Sequence, residues 1–398
     1  MGTGASSGTR TVVLTVVVTM LFVAVATGIG TWAFYDRLNR NLGSGGDIDH
    51  LVDEPADTGP KRPLNILILG TDGRDCEGCS IDGESGAGGS DSSILLHVAA
   101  DRESAYGISI PRDALVERPE CTAPDGSTIP EASAVMWNEA YSLGGPTCTA
   151  RQAELLTGIP IDHYLALDFA GFRGMVDAVG GVRICIPEAI DDEEHNIFLP
   201  AGTRNLRGKQ ALDYVRNRSS TPNADLGRMR RQQYFLTALA TKVLSAGTLA
   251  RPSRLATFAT ELSRSITTDI GSVAGLADLA GEMRDLDPGS IEFETVPNEA
   301  YPEGDPNWGR LRILPEADEI WQRMLEDRPL HDATTSADPS PTPTDAPGNP
   351  ASSISPDEAV DESPTGSPTG SPTGSPTTSG TLEDQQKDAA DNGLCSAR

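Results

Sequence analysis

Aromatic side chains make up only 5 % of this 398-residue chain, and it has just five histidines. No second histidine stands at ligand spacing from His163, so that residue reads as structural. Positive charge is also short: 31 Lys and Arg face 58 Asp and Glu, a net charge of -27. That excludes the broad basic face of a general nucleic-acid binder. No internal repeat of solenoid length appears. Six cysteines are too few to build a disulfide scaffold at this length. Cys76 and Cys79 form a CxxC, but the second pair of a zinc site is missing, as is the strand-then-helix setting of a thioredoxin.

The cysteines that are present are even in number, which allows one to three bridges in an exported chain. A local Cys76–Cys79 bridge or separate pairings both fit. Cys121 with Cys148 is a second candidate, Cys185 reads as a buried core cysteine, and Cys395 has no obvious partner.

Residues 11–34 are an apolar run without a charge, long enough to cross a bilayer as a helix, with Trp32 and Tyr35 at the exit interface. A signal anchor fits better than a cleaved signal peptide, whose core would be shorter. Residues 1–10 are then cytoplasmic, 35–63 a polar linker, and 64–327 the folded body. From 328 to 398 Pro, Ser, Thr and Gly dominate, a composition expected to form a disordered tail.

Within the body, NILILG is an apolar strand followed by Asp72, SSILLHVAA a strand preceded by Asp91, and YGISI a strand followed by Pro111, Arg112 and Asp113. Antiparallel neighbours bring a strand start beside a strand end, so these charges can share one edge; taken singly, each acid could equally cap a turn. MWNEAYSLGG predicts a short helix closed by glycines, and 147–156 a second helix. HYLALDF, AGFRGMVDAVGG and VRICIP read as strand, helix and strand, a βαβ unit. Residues 191–194 read as an acidic loop, 226–246 as a long amphipathic helix, and further helices, a strand and a closing helix follow.

The positive charge the chain does have is concentrated. Arg216, Arg218, Arg228, Arg230 and Arg231 fall in one stretch, DYVRNRSSTPNADLGRMRRQQ. Charge alone would allow a solvated helix face. The turn residues Ser219, Ser220, Pro222 and Asn223 split the run into two arginines, a loop and a new helix start, a shape suited to converging on one anion.

In order, NILILGTDGRD, SDSSILLHV, ISIPRD, WNEAYSLGG, GKQALDYVRNR and DLGRMRRQQ resemble the LytR-CpsA-Psr family of cell-envelope glycopolymer ligases, over residues 64–325. The resemblance implies a three-layer α/β/α domain with a central mixed sheet outside the membrane. It implies transfer of a glycan from a polyprenyl-pyrophosphate carrier through a phosphodiester to peptidoglycan or a surface glycoprotein, with no nucleic acid involved. Asp72 and Asp91 resemble the pair holding Mg2+ (or Mn2+). Arg112, Arg216, Arg218, Arg228 and Gln232 resemble pyrophosphate contacts, and Asp113 or a metal-site aspartate is the candidate base. Two features depart from the pattern: Gly89 stands where many relatives carry arginine, and the insert between Asp72 and Asp91 is long. A pyrophosphatase using the same pocket, or a protein that only binds the lipid, are the competing readings.

Overall fold

The computed structural model describes residues 7–52, 62–71, 89–193, 196–217, 224–244, 251–284, 286–287 and 290–331. The tail expected from 328 onward falls, beyond residue 331, outside the described residues, as do Asp72, Cys76, Cys79, Arg218 and Cys395.

The body is built on a seven-stranded mixed sheet. Its strands are β1 (Gly43–Ser44), β2 (Leu64–Thr71), β3 (Ser90–Val98), β4 (Ala105–Ile110), β9 (His163–Asp168), β14 (Ile266–Thr268) and β15 (Ile291–Thr295). They lie in the order β1-β14-β9-β2-β3-β4-β15. The central strand β2 is apolar on both faces, as a strand covered by helices on both sides must be. Its alternation sorts the two cores. Leu67 and Leu69 join Leu95, Ile108, Trp137, Tyr164 and Trp321 on one face. Ile66 packs on the other with Val98, Leu279 and Leu286.

The first face is covered by α2 (Glu139–Thr157) and α8 (Ala317–Leu325); α7 (Val273–Glu282) lies over the second. The interruption expected at the glycines of α2 is present: Gly145 has φ 69° and ψ -161°, and Pro146 restarts the helix. A third core joins α3 (Phe169–Ala178), α4 (Gly208–Arg216) and α5 (Ala224–Leu244) to two hairpins. One hairpin pairs β10 (Val182–Ile186) with β13 (Gly202–Leu206); the other pairs β11 (Ile190–Asp192) with β12 (Ile197–Leu199).

Three expectations are corrected here. The β9–α3–β10 run is not a βαβ unit, because β10 pairs with β13 and not with the central sheet. Gly180 and Gly181, at φ 84° and 91°, turn the chain away; a Cβ at Gly181 would meet Asn205 Nδ2 at 2.5 Å. The acidic stretch 191–194 begins inside a hairpin, with Asp192 buried. Cys185 is buried but disulfide-bonded, not a bare core thiol. Cys121 and Cys148 form the expected bridge, tying the short strand β6 (Cys121–Thr122) to α2.

Structure also begins earlier than Leu64. Helix α1 (Ser7–Asn41) contains a 31-residue stretch, Thr11–Asn41, long and apolar enough to cross a membrane. Its end is held to the body. Leu38 is buried, Asn39 Oδ1 accepts from the Val273 amide at 2.9 Å, and β1 pairs parallel with β14. Beyond β1, Tyr164 Oη donates to Gly46 O at 2.7 Å, and His50 and the Leu51 amide engage the buried Glu154. The described part of the expected linker is therefore pinned along the sheet edge and α2, because its polar groups find buried partners.

Candidate active site

Strands β2 and β3 are antiparallel, so the end of one lies beside the start of the other. Gly70 pairs with Ser92 and Thr71 with Ser90, which leaves Asp91 as an extra residue at a β-bulge. A bulge re-aims the side chain it carries. Below it, a buried chain of hydroxyls fixes the strand start. The Ser90 and Ser93 hydroxyls lie 2.9 Å apart, Trp137 Nε1 donates to Ser93 Oγ at 2.9 Å, and Gln152 Nε2 donates to Trp137 O at 2.9 Å.

Strand β4 is antiparallel to β3, with Ile110 opposite Ser93, so the residues after β4 arrive at the same edge. Arg112 Nη1 donates to Asp91 Oδ1 at 2.8 Å, and its Nε donates to Asp113 Oδ2 at 3.3 Å. The other Asp113 oxygen lies 3.7 Å from Arg310 Nη1. Arg310 precedes β17 (Leu311–Ile313), which runs parallel to β5 (Ala114–Arg118) in a second, four-stranded sheet with β16 (Asn298–Ala300) and β8 (Ala132–Met136). The pairs β4/β15 and β5/β17 are both parallel, and the ion chain sits where the protein passes from one sheet to the next.

Parallel pairing of β2 with β9 puts Asp168 opposite Thr71, so the start of α3 adjoins the end of β2. Asp168 caps α3 by accepting from the Gly171 amide at 2.7 Å. Burial pushes its carboxyl above the ordinary range, against the pull of the Gly171 and Ala170 amides. The next residue, Phe169, carries Arg216 over its ring, with the guanidinium carbon 4.8 Å from the centroid. Arg216 therefore reaches the same end of the sheet.

Helix α5 docks across β4 and β15 through Gln233, whose Nε2 donates to Ser109 Oγ at 2.7 Å and Thr295 Oγ1 at 3.3 Å. Its first turns carry the remaining arginines, and they divide by role. Arg228 is 2 % exposed, a burial that requires compensation of its charge. Arg231 staples the end of α4: Nε donates to Tyr214 O at 3.3 Å and Nη2 donates to Asn217 O. Burial lowers its pKa. Gln232 does similar work, its Nε2 donating to Val215 O at 3.1 Å. Asn217, 1 % exposed, donates from Nδ2 to Asp192 Oδ2 at 3.2 Å. The backbone leaving Arg216 is thus fixed from two sides.

Of the residues anticipated from sequence, Asp91, Arg112 and Asp113 are in direct contact, and Arg216 joins their end of the sheet. Asp72 and Arg218 lie outside the described residues, one position beyond β2 and Asn217 respectively. Arg310, Asn217 and Asp192 were not anticipated. Asn217 sits between two arginines in VRNR, which was its only signal. A Cβ at Gly89 would lie 3.5 Å from Asn138 Nδ2 and Ser142 Oγ, so a larger side chain there would face the start of α2.

A mixed sheet between helical layers, with an arginine held by two carboxylates at strand ends and more arginines on the covering helices, defines an α/β protein with a charged sheet edge. Residues 46–320 match the model of the LytR_cpsA_psr family, and the chain belongs to that family. It is 31 % identical over 284 residues to the cell wall biosynthesis protein LcpA of Corynebacterium glutamicum, covering 65 % of this chain and 53 % of that one. It is 31 % identical over 267 residues to the polyisoprenyl-teichoic acid–peptidoglycan teichoic acid transferase TagV of Bacillus subtilis, covering 65 % and 63 %. The chain therefore spans between half and two thirds of these curated relatives. The fold is that of the crystal structure of B. subtilis TagV, with TM-score 0.52 at 24 % identity, over 68 % of this chain and 98 % of the other. The structure of TagT bound to LI-WTA gives TM-score 0.52 at 21 % identity, over 72 % and 98 %.

Proposed function

We propose that this chain is a membrane-anchored phosphotransferase. It moves a glycopolymer from a polyprenyl-pyrophosphate carrier to a cell-envelope hydroxyl, with peptidoglycan as the acceptor, and releases polyprenyl phosphate. The observation that carries this reading is Arg112, held between Asp91 and Asp113 at the strand ends where Arg216 also arrives. Phosphoryl transfer asks for positioned positive charge on the transferred and leaving phosphates, more than for covalent chemistry. The named activity of TagV and the named role of LcpA support it.

In this reading Arg112, Arg216, Arg218 and Arg228 bind the pyrophosphate, and Gln232 holds the end of α4 beside Arg216. Asp113 has one oxygen toward Arg112 and the other toward Arg310, an arrangement suited to positioning both guanidiniums. Proton removal from the acceptor hydroxyl then falls to Asp91, or to Asp72 beyond the end of β2.

Asp72 and Asp91 would hold Mg2+. Two carboxylates would leave the remaining positions around a cation to phosphate oxygens and water. That donor set fits Mg2+, or Mn2+ in its place, and the ion would neutralise charge on the pyrophosphate. The disulfide-bonded cysteines favour an oxidising compartment, hence a body outside the membrane that α1 spans.

The test is to incubate the full chain in detergent with a polyprenyl-pyrophosphate glycan, with and without peptidoglycan. Release of polyprenyl phosphate is expected to require the acceptor. Equal release without it would make the protein a pyrophosphatase.

A further inference from the structure

The segment from Tyr301 to Arg310, YPEGDPNWGR, joins β16 to β17 and enters the site described above only through its last residue, Arg310. It is an unusually fixed excursion. The Tyr301 amide donates to Arg310 O at 3.0 Å, closing its base. Inside, Asp305 donates to Pro302 O at 3.1 Å, Trp308 to Asp305 O at 2.9 Å and Arg310 to Asn307 O at 2.9 Å, all from backbone amides. Asp305 Oδ1 accepts from the Asn307 amide at 2.7 Å. Gly304 and Gly309, at φ 93° and 84°, allow the reversals. The result is a preorganised turn that presents Trp308 at 66 % exposure.

One exposed tryptophan is ordinary on a protein surface. This one is two residues from Arg310, which pairs with Asp113 at 3.7 Å, and Asp113 pairs with Arg112. The Leu311 amide also donates to Asp113 O at 3.1 Å, so the turn is bolted to the edge of the phosphate site. An indole face offers a large apolar contact at low entropic cost, and the flanking Asn307, Asp305 and Arg310 offer donors and acceptors. That combination fits a pyranose ring, which has an apolar C–H face and a polar rim.

A membrane surface is the other partner an exposed tryptophan can suit, but two acids in the same turn, Glu303 and Asp305, match poorly with an anionic lipid surface.

We propose that the Tyr301–Arg310 turn is the acceptor-docking surface, with Trp308 stacking on a sugar ring of the acceptor glycan strand and Arg310 linking that surface to Asp113. This rests on the transferase reading above. The test is steady-state kinetics of the full chain in detergent, with a fixed polyprenyl-pyrophosphate glycan and varied peptidoglycan fragments, comparing wild type, Trp308→Ala and Trp308→Phe. Thermal melting checks that each variant folds, which the exposure of Trp308 leads us to expect. Trp308→Ala should raise the acceptor KM about three- to tenfold, in line with the loss of one aromatic stack. The kcat and the donor KM should hold, and Trp308→Phe should recover most of the loss. An unchanged acceptor KM in Trp308→Ala overturns the inference, as does a fall in kcat with KM constant. Both of those leave the transferase reading standing; a wild-type protein that transfers nothing to any acceptor defeats that reading instead.

Discussion

Arg112 and Arg231 carry the same side chain and are used in opposite ways. The side chain of Arg112 is 22 % exposed and donates to two carboxylates, Asp91 and Asp113, which are themselves partly open to solvent. Arg231 is 4 % exposed and donates to two backbone carbonyls at the end of α4. A guanidinium whose carboxylate partners lie at a solvent-facing sheet edge stays within reach of an incoming anion. One spent on helix-end carbonyls replaces water in the interior and has become part of the scaffold. Proximity in an arginine-rich stretch therefore says little about role; the partners decide it.

This contrast can be broken by substitution. Arg112→Ala should carry the largest functional effect, a fall in transfer rate of about 10²- to 10³-fold, the range for removing one preorganised donor to a developing charge. Its melting temperature should change little, since the pairs it leaves are part-exposed. A rate within threefold of wild type, read with labelled donor, would remove Arg112 from the site.

Arg231→Met should show the reverse pattern. Two carbonyls lose their donor in a buried setting, for a cost of about 1–3 kcal/mol seen in denaturant unfolding. The rate per folded molecule should fall less than in Arg112→Ala. If Arg231→Met melts like wild type yet loses transfer, the division drawn between the two arginines is wrong.

Asn217→Ala sits between the two. It removes the bond to Asp192 Oδ2 and loosens the backbone that leaves Arg216. Transfer should drop about tenfold, because small misplacements of phosphate-binding groups are costly. Asp192→Asn, which keeps an acceptor oxygen for Asn217, should recover much of that activity relative to Asp192→Ala.

The smallest effect belongs to the opposite end of β9, where His163 Nδ1 lies 2.6 Å from Asp269 Oδ2. The hydrogen bond that His163 donates to Asp269 holds its pKa above the usual value, outweighing burial. Relative to an unfolded histidine near about 6.5, the pair adds stability below that pH and loses it as pH rises through the raised value. His163→Gln should therefore melt lower than wild type at pH 6, with the gap narrowing as pH rises above the ordinary histidine range, and with transfer activity per folded molecule unchanged. Lost transfer at full folding would mean that this end of the sheet also serves the site.

Much of the contrast was legible in the sequence, and the illegible part has physical causes. The Asp91–Arg112 contact follows from antiparallel neighbours, which bring a strand start beside a strand end whatever the loops do. Arg310 was invisible because its place depends on β17 pairing with β5, a register no local pattern encodes. The β9–α3–β10 run looked like a βαβ unit because its spacing was right, but the two positive-φ glycines at 180 and 181 sent β10 to another partner. Arg231 could not be told from its neighbours, since helix periodicity does not reveal which face meets the end of α4. The stretch after α1 read as a linker because its composition is polar, yet Glu154 and Tyr164 supply buried partners for it.

Transfer and hydrolysis differ in where the phosphate beside the sugar ends up. The most direct measurement uses a polyprenyl-pyrophosphate glycan labelled in the phosphate next to the sugar, full-length protein and peptidoglycan. Attack of an acceptor hydroxyl on that phosphorus breaks its link to the lipid phosphate, so the label should appear in the peptidoglycan as a phosphodiester, with unlabelled polyprenyl phosphate released. Label that stays on the lipid as pyrophosphate, or leaves as soluble glycan phosphate, would contradict the account.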